Sequence, residues 1–252
     1  MIRTAQIEIF GLPGAGKTTL GRNLSSILGL PQKYRAIRAL SRIDGTSTPL
    51  RLLMALPHRF VKATRGYDCW ALESIARSGD LQLKMVPLVR SVGNWAREPT
   101  SDVRQLAILQ RSLERDFVLA LQAHEQRLGH VNDDGILQRL ISLVGLRSAD
   151  SRGMASQHLV ETIVSSLPTT SVIVAVEIDP ETAYRRAQMR RSGQPRLMGS
   201  EHWHQGRVNV GDVLDQVEDH ASNAGLTFGR VAGSDSPERS ANRIAELLMR
   251  SQ

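Results

Sequence analysis

The stretch Gly11-Leu12-Pro13-Gly14-Ala15-Gly16-Lys17-Thr18-Thr19 decides the fold of this 252-residue chain. It matches the phosphate-loop pattern G-x-x-x-x-G-K-[ST], the Walker A motif, at every fixed position. Residues 6–10 before it read as a short strand, and residues 19–28 after it read as a helix with one apolar face. The order strand, glycine-rich loop, helix predicts a turn that wraps around a polyphosphate.

The residue types in this loop explain how it would hold a nucleotide. Glycines let backbone N–H groups approach phosphate oxygens where a Cβ atom would collide, and the following helix points its unpaired N–H groups at the same anion. We expect Lys17 to reach the β- and γ-phosphates and the Thr18 hydroxyl to bind Mg²⁺. The predicted nucleotide-binding residues are Gly11, Gly14, Ala15, Gly16, Lys17, Thr18 and Thr19. An Asn-Lys-x-Asp element, which would favour guanine, does not occur in the sequence, so ATP is the expected nucleotide.

Composition narrows the class of protein. The apolar fraction of 41% suffices for a packed core, and the scarcity of aromatic residues, at 4%, predicts an aliphatic one. The single cysteine rules out an internal disulfide framework. The chain shows neither a signal peptide nor an apolar run of membrane-spanning length, so we expect a cytoplasmic protein without a membrane partner.

The chain is basic, with a net charge of +7, and only four of its 32 basic residues are lysines. A general preference for arginine is the first explanation, and an anionic small substrate is the second, since arginine suits phosphate groups. Nucleic acid is not expected as a partner, because the charges are scattered and no aromatic residues lie among them. Oligomeric state does not follow from these features.

Strand-like and helix-like segments alternate along the chain. In addition to the first one, strands are predicted at residues 33–38, within 129–135, at 171–178 and at 226–231. Residues 50–127 are mostly helical in pattern. Such alternation predicts an α/β fold with a parallel sheet flanked by helices.

Two carboxylates, Asp133 and Asp134, follow a short buried strand. The carboxyl end of a parallel strand faces the same crevice as the phosphate loop, so one acid could hold Mg²⁺, the role we give Asp133, and the other could accept a proton from an attacking hydroxyl. The sequence leaves open which of the two has which role. The alternative interpretation is an ordinary Asp-Asp-Gly turn.

Arginines follow the clearest strand. Arg186 and Arg190 are four residues apart on the helix that Asp179-Pro180-Glu181 begins, and they share one face. On a closing flap they could neutralise charge on a transferring phosphoryl group. The alternative, of equal weight, is a solvated basic helix face.

A run of charged residues lies in the longest predicted helix, at residues 114–116. Arg111 and Arg115 are four apart and could reach an anionic substrate. We expect instead that this run is a salt-bridged stretch facing solvent.

Together these features resemble the P-loop kinases of small molecules, in the nucleoside and nucleotide kinase group that includes thymidylate kinase. The resemblance rests on residues 11–18, 132–135, 179–190 and 231–238, the last matching a loop that lies beside adenine in that family. It implies a P-loop NTPase fold with a five-stranded parallel sheet. It also implies one domain over residues 1–252, with a helical acceptor-binding insertion at about 45–127 and a lid-like region at about 180–205.

The leading hypothesis is an ATP- and Mg²⁺-dependent phosphotransferase that acts on a small-molecule hydroxyl or phosphate acceptor, such as a nucleoside, a nucleotide or another metabolite. Its predicted catalytic residues are Lys17, Asp133, Asp134, Arg186 and Arg190. An alternative is a nucleotide-dependent ATPase or switch that binds a protein or nucleic acid. A third possibility is a protein that binds a nucleotide without catalysis.

Overall fold

The computed structural model describes residues 2–43, 45–96, 103–144, 153–189 and 200–250. The strands are β1 (Gln6–Gly11), β2 (His130–Asn132), β3 (Ser171–Glu177) and β4 (Thr227–Ala232). The helices of the first half are α1 (Lys17–Leu28), α2 (Lys33–Ile43), α3 (Thr48–Ala55), α4 (His58–Ala63), α5 (Gly66–Arg77), α6 (Gly79–Ala96) and α7 (Val103–Glu125). Those of the second half are α8 (Ile136–Val144), α9 (Gly153–Ser165), α10 (Pro180–Gln188), α11 (Ser200–Asn223) and α12 (Pro237–Arg250).

The four strands form one parallel sheet in the order β2-β1-β3-β4. The α/β fold and four of the predicted strands are thereby confirmed. Strand β1 lies inside the sheet, with Gln6 opposite His130 of β2 and opposite Ser171 of β3. The chain runs from β1 to β2 on one side of β1 and then crosses to β3 on the other side. The direction of strand order thus reverses between β1 and β3, and the carboxyl ends of these two strands frame the crevice where open α/β sheets bind ligands.

The prediction of a strand at residues 33–38 is wrong, and with it the five-stranded sheet for the described part of the chain. These residues begin α2, whose buried positions are Lys33, Ala36, Ile37, Leu40 and Ser41. This spacing places one buried stripe along a helix, whereas a strand would bury every second residue. The apolar stripe of α2 packs into the core, which decides the conformation.

Each face of the sheet is covered by its own hydrophobic core, because successive side chains of a strand point to opposite faces. Ile7 and Ile9 of β1 pack with α1 and α12. Phe10 belongs to the larger core, which includes side chains from α2, α3 and α5 to α9. Gln6 and Glu8 alternate with Ile7 and Ile9, so they occupy the Phe10 side of the strand and lie below α7.

The described residues between α2 and β2 are mostly helical, as predicted for residues 50–127. Trp70 of α5 is fully buried, and α5 and α7 pack closely on each other.

None of the helices in the described residues has the length and hydropathy needed to cross a bilayer.

Candidate active site

The phosphate-type loop leaves β1 in a backbone conformation that glycine allows. Gly14 and Gly16 have φ angles of 91° and 94°, in the region that side-chain-bearing residues rarely adopt. A Cβ atom at Gly14 would overlap the carbonyl oxygen of Ala183 in α10, so this turn packs directly on the helix after β3. Gly16 precedes α1 as its N-cap residue and makes no side-chain cap. The first N–H groups of α1 thus point into the loop.

Lys17 begins α1 and bends back over the loop. Its ammonium group donates hydrogen bonds to the carbonyl oxygens of Gly11 at 2.9 Å and Leu12 at 2.8 Å. Thr18 and Thr19, which follow on the same helix, are exposed. The arrangement gathers one positive charge, two hydroxyls and a helix N-terminus around a small concave turn, which is the chemistry that binds a polyphosphate.

A cavity of about 360 Å³ opens beside this loop. One wall is formed by Gly14, Ala15 and Gly16, and the opposite wall by the segment that joins β4 to α12. Arg186 of α10 also lines the cavity and donates a hydrogen bond from Nη1 to the carbonyl oxygen of Gly233, at 2.9 Å. Arg186 therefore ties α10 to the loop after β4, for which the family resemblance predicts a place beside adenine.

The helix that carries Arg186 begins as its sequence predicts. The Asp179 side chain accepts a hydrogen bond from the Thr182 N–H at 2.8 Å, and Pro180 occupies the first turn. Arg185 is exposed. Arg190, also predicted to be catalytic, and residues 190–199 of the expected lid lie outside the described residues.

Asp133 and Asp134 follow β2 and have different surroundings. Asp133 lies against α1, where a methyl group at Gly21 would be 3.2 Å from the Asp133 Cβ atom. Asp134 forms an ion pair with Arg139 of α8, and its carboxylate is half exposed. Within the described ranges no side chain or backbone group forms a hydrogen bond or ion pair with the Asp133 carboxylate. Asp133 thus keeps unused acceptor capacity next to α1.

The donor atoms near α1 fit Mg²⁺. Asp133 lies against Gly21 of α1, and Thr18 precedes Gly21 by three residues, which is about one helical turn. Hydroxyl and carboxylate oxygens suit this hard cation, which protein sites hold through one or two side chains together with phosphate oxygens. The described part of the chain contains no group of three or more His, Cys, Asp or Glu residues that could bind a metal by itself.

A buried ion pair lies beneath the site. Lys33 Nζ of α2 is 2.7 Å from each carboxylate oxygen of Asp116 in α7, and both side chains are almost completely buried. Arg115 Nε lies 3.2 Å from the same carboxylate, and Arg139 Nε lies 3.8 Å from it. Burial alone would raise the pKa of Asp116, but these three cations hold it below its ordinary value.

The expected exposure of residues 114–116 is therefore wrong at Asp116. The residue faces the interior of the protein because α7 packs across the sheet, and the sequence of α7 does not show its ionic partner, which is 83 residues away. Lys33 also donates a hydrogen bond to the carbonyl oxygen of Asp134 at 2.7 Å. The ion pair thereby fixes the turn that carries both aspartates.

Another cavity, of about 320 Å³, lies next to Arg115. Its lining includes Tyr34, Tyr67, Lys62, Arg65 and Arg111. Arg115 connects the buried Lys33–Asp116 pair to this cavity, because its Nη1 atom also donates a hydrogen bond to Asp68 Oδ1 at 2.9 Å. Sequence reasoning identified Arg111 and Arg115 as candidates for an anionic substrate. It missed the two tyrosines, Lys62 and Arg65, which come from different helices and turns.

No protein-family model matches the chain, and no curated protein matches it. Among solved structures, the chain is similar to deoxyadenosine kinase from M. mycoides with bound dCTP, with 14% identity and a TM-score of 0.43, over 97% of this chain and 98% of that one. It is also similar to shikimate kinase from Acinetobacter baumannii in complex with shikimate, with 12% identity and a TM-score of 0.41, over 98% of this chain and 94% of that one.

Proposed function

We propose that this protein is an ATP- and Mg²⁺-dependent phosphotransferase that acts on a small-molecule acceptor. The observation that carries the proposal is the phosphate-type loop between β1 and α1. Its glycines adopt positive φ angles, its lysine lies over the turn, and a cavity of about 360 Å³ opens beside it. A nucleotide fits this arrangement with its phosphates in the loop and its base toward the segment joining β4 to α12.

Each group has a role in this proposal. The N–H groups of the loop and of the α1 N-terminus bind the phosphate oxygens. Lys17 exchanges its contacts with the Gly11 and Leu12 carbonyls for the β- and γ-phosphates. The Thr18 hydroxyl and the Asp133 carboxylate would hold Mg²⁺, which neutralises charge on the phosphates when it is bound. Arg186 orients the nucleotide and stabilises negative charge as the phosphoryl group leaves.

The second cavity supports transfer to a small molecule. It is lined by residues of α2, α4, α5 and α7, and the Lys33–Asp116 pair connects its wall to the turn of Asp133 and Asp134. A pocket of this size holds a metabolite, whereas a switch that binds a macromolecule needs no such pocket. The acceptor is thus proposed to be a nucleoside, a nucleotide or another metabolite of similar size.

Transfer of labelled γ-phosphate from ATP to a metabolite extract, with Mg²⁺ present, tests the proposal. A labelled small molecule should form with the wild-type protein and be lost with Lys17→Ala, because the loop then lacks its positive charge. Lys84→Ala is the matched control, since Lys84 is a surface lysine paired with Asp80 and Glu125. Release of inorganic phosphate alone, with every metabolite fraction unlabelled, would contradict a phosphotransferase.

A further inference from the structure

The cavity beside Arg115 is strongly cationic. Four basic side chains line it, Lys62, Arg65, Arg111 and Arg115, against a single carboxylate, Asp68. Asp68 is already engaged by Arg115 at 2.9 Å. Within the described ranges Lys62, Arg65 and Arg111 have no carboxylate partner, so the cavity holds an excess of positive charge.

These cations converge from separate parts of the fold. Lys62 lies at the end of α4, Arg65 precedes α5, and Arg111 and Arg115 lie one turn apart on α7. A solvated basic face would instead follow the surface of one helix. Convergence of like charges on one concavity is unfavourable without a counter-charge, and it therefore favours an anionic ligand.

One of the cations is held in place by the protein itself. Arg115 is only 11% exposed, and its guanidinium group is fixed by Asp116 on one side and Asp68 on the other. Such a fixed position reduces the entropy lost when a ligand is bound.

One wall of the cavity is aromatic. The rings of Tyr34 and Tyr67 are 4.7 Å apart, and His58 Nδ1 lies 3.0 Å from the Tyr67 hydroxyl. Tyr34 is half buried and Tyr67 is buried, and both residues line the cavity. Such a wall suits the ring or carbon skeleton of a ligand whose charged group meets the arginines.

We propose that this cavity is the acceptor site and that it recognises an acceptor by an anionic group, a phosphate or a carboxylate. The anionic group binds Arg111, Arg115 and Lys62, and the carbon skeleton lies against Tyr34 and Tyr67. This inference rests on the proposed phosphotransferase function. It adds that the substrate is an anion, which a site for an uncharged nucleoside or sugar would not require.

Binding of three small probes tests the inference without any need for catalysis. The probes are phenyl phosphate, benzoate and the uncharged benzamide, titrated calorimetrically into the full-length protein. The protein is first saturated with Mg²⁺ and the non-hydrolysable ATP analogue AMP-PNP, so that the phosphate loop is filled. The variants are Arg111→Gln and Lys62→Gln, and the control is Arg90→Gln, which removes the same charge from an exposed position on α6.

At least one anionic probe should bind at least tenfold more tightly than benzamide. Arg111→Gln and Lys62→Gln should each weaken that probe by about tenfold, because each removes a charge-assisted contact. Arg90→Gln should leave the affinity unchanged. A preference for phenyl phosphate would identify a phosphate-bearing acceptor, and a preference for benzoate would identify a carboxylate-bearing one.

The inference is overturned if benzamide binds as tightly as the anions, if none of the probes binds, or if both pocket variants bind as the wild type does. The affinity for AMP-PNP separates this failure from failure of the proposed function. If AMP-PNP still binds and the probes bind regardless of their charge, only the proposal of an anionic acceptor is contradicted. If the wild-type protein does not bind AMP-PNP, the proposed nucleotide site itself is contradicted.

Discussion

Lys33 and Asp116 form a buried ion pair in which the ammonium nitrogen lies 2.7 Å from both carboxylate oxygens. The pair joins α2 to α7, and through the Asp134 carbonyl it also fixes the turn after β2. Since both side chains are removed from water, each depends on the other for its charge to be tolerated. The pair therefore couples the stability of the helical segment to the position of the candidate catalytic carboxylates.

Asp116→Asn should destabilise the protein by about 3–5 kcal/mol, because it leaves the buried Lys33 ammonium without a counter-charge. Lys33→Met should destabilise it less, since Asp116 keeps Arg115 and Arg139 as neighbours. Urea denaturation, monitored by circular dichroism, measures the free energy of unfolding of both variants. Equal losses in the two variants would show that the arginines do not support Asp116.

Asp133→Asn and Asp134→Asn should have unequal effects on phosphoryl transfer. We expect Asp133→Asn to lower kcat by about 100-fold or more, as loss of a group that acts on the metal or the reacting atoms does. Asp134→Asn should lower kcat by less than about tenfold, because that carboxylate is engaged with Arg139. Initial rates at saturating ATP measure the difference. A larger loss of kcat in Asp134→Asn than in Asp133→Asn would show that Asp134, and not Asp133, has the catalytic role.

Gly14→Ala should weaken ATP binding and lower stability. The new Cβ atom would overlap the Ala183 carbonyl and force a residue with a φ of 91° into strain of about 1–3 kcal/mol. Gly211→Ala is the matched control, because Gly211 lies in α11 with open space around it, and alanine there should stabilise the helix by about 1 kcal/mol. Thermal denaturation and ATP titration measure both variants. A Gly14→Ala protein with wild-type ATP affinity would contradict the tight packing of this loop.

Arg186→Gln should raise the KM for ATP and lower kcat, since it removes the contact with the Gly233 carbonyl and a positive charge from the nucleotide cavity. An effect of about tenfold or more on kcat/KM fits loss of one charged contact. Arg185→Gln, one residue away and exposed, should leave both parameters near their wild-type values. Steady-state kinetics with varied ATP tests the pair. Similar losses in both variants would indicate a general charge effect of α10.

Glu8 should make stability depend on pH. Its burial, reinforced by the nearby Asp116 charge, raises its pKa from 4.5 to about 8, so the folded protein holds Glu8 protonated at neutral pH. A raised pKa stabilises the folded state below the unfolded pKa, and that contribution is lost as the pH rises through the folded value. The free energy of unfolding should thus fall by about 1 kcal/mol for each pH unit between pH 4.5 and 8.

Glu8→Gln removes this titration and keeps a side-chain oxygen for the hydrogen bond from Asn132 Nδ2. The difference in unfolding free energy between variant and wild type should therefore grow in favour of the variant as the pH rises. Urea denaturation at pH 5, 6, 7 and 8 measures it. A constant difference across these pH values would mean that Glu8 does not titrate in this range.

The local part of the site could be predicted from sequence, and the part formed by distant residues could not. Residues 11–19 carry their own signal, because glycine, lysine and threonine at fixed spacing determine the turn and the start of α1 by contacts within the loop. The Asp179 cap is predictable for the same reason. The loop geometry confirms the strand, turn and helix order, while the roles of its side chains stay predictions.

Residues 33–43 show where local reading fails. A window of six residues, 33–38, cannot separate a strand from a helix, and the buried stripe at Ile37, Leu40 and Ser41 becomes clear only over three turns. The pairing of Lys33 with Asp116 joins residues 83 positions apart, and neither residue type signals burial. The cationic cavity likewise requires α4, α5 and α7 to be packed in three dimensions before its members become neighbours.

The ammonium group of Lys17 is hydrogen-bonded to protein oxygen atoms. Its ammonium group rests on two carbonyls of the loop that it is meant to serve. Under the proposed function, a triphosphate would have to replace these two hydrogen bonds with its own oxygen atoms. The selectivity of the loop would then depend on how well the phosphate oxygens compete with the two backbone carbonyls for the Lys17 ammonium group.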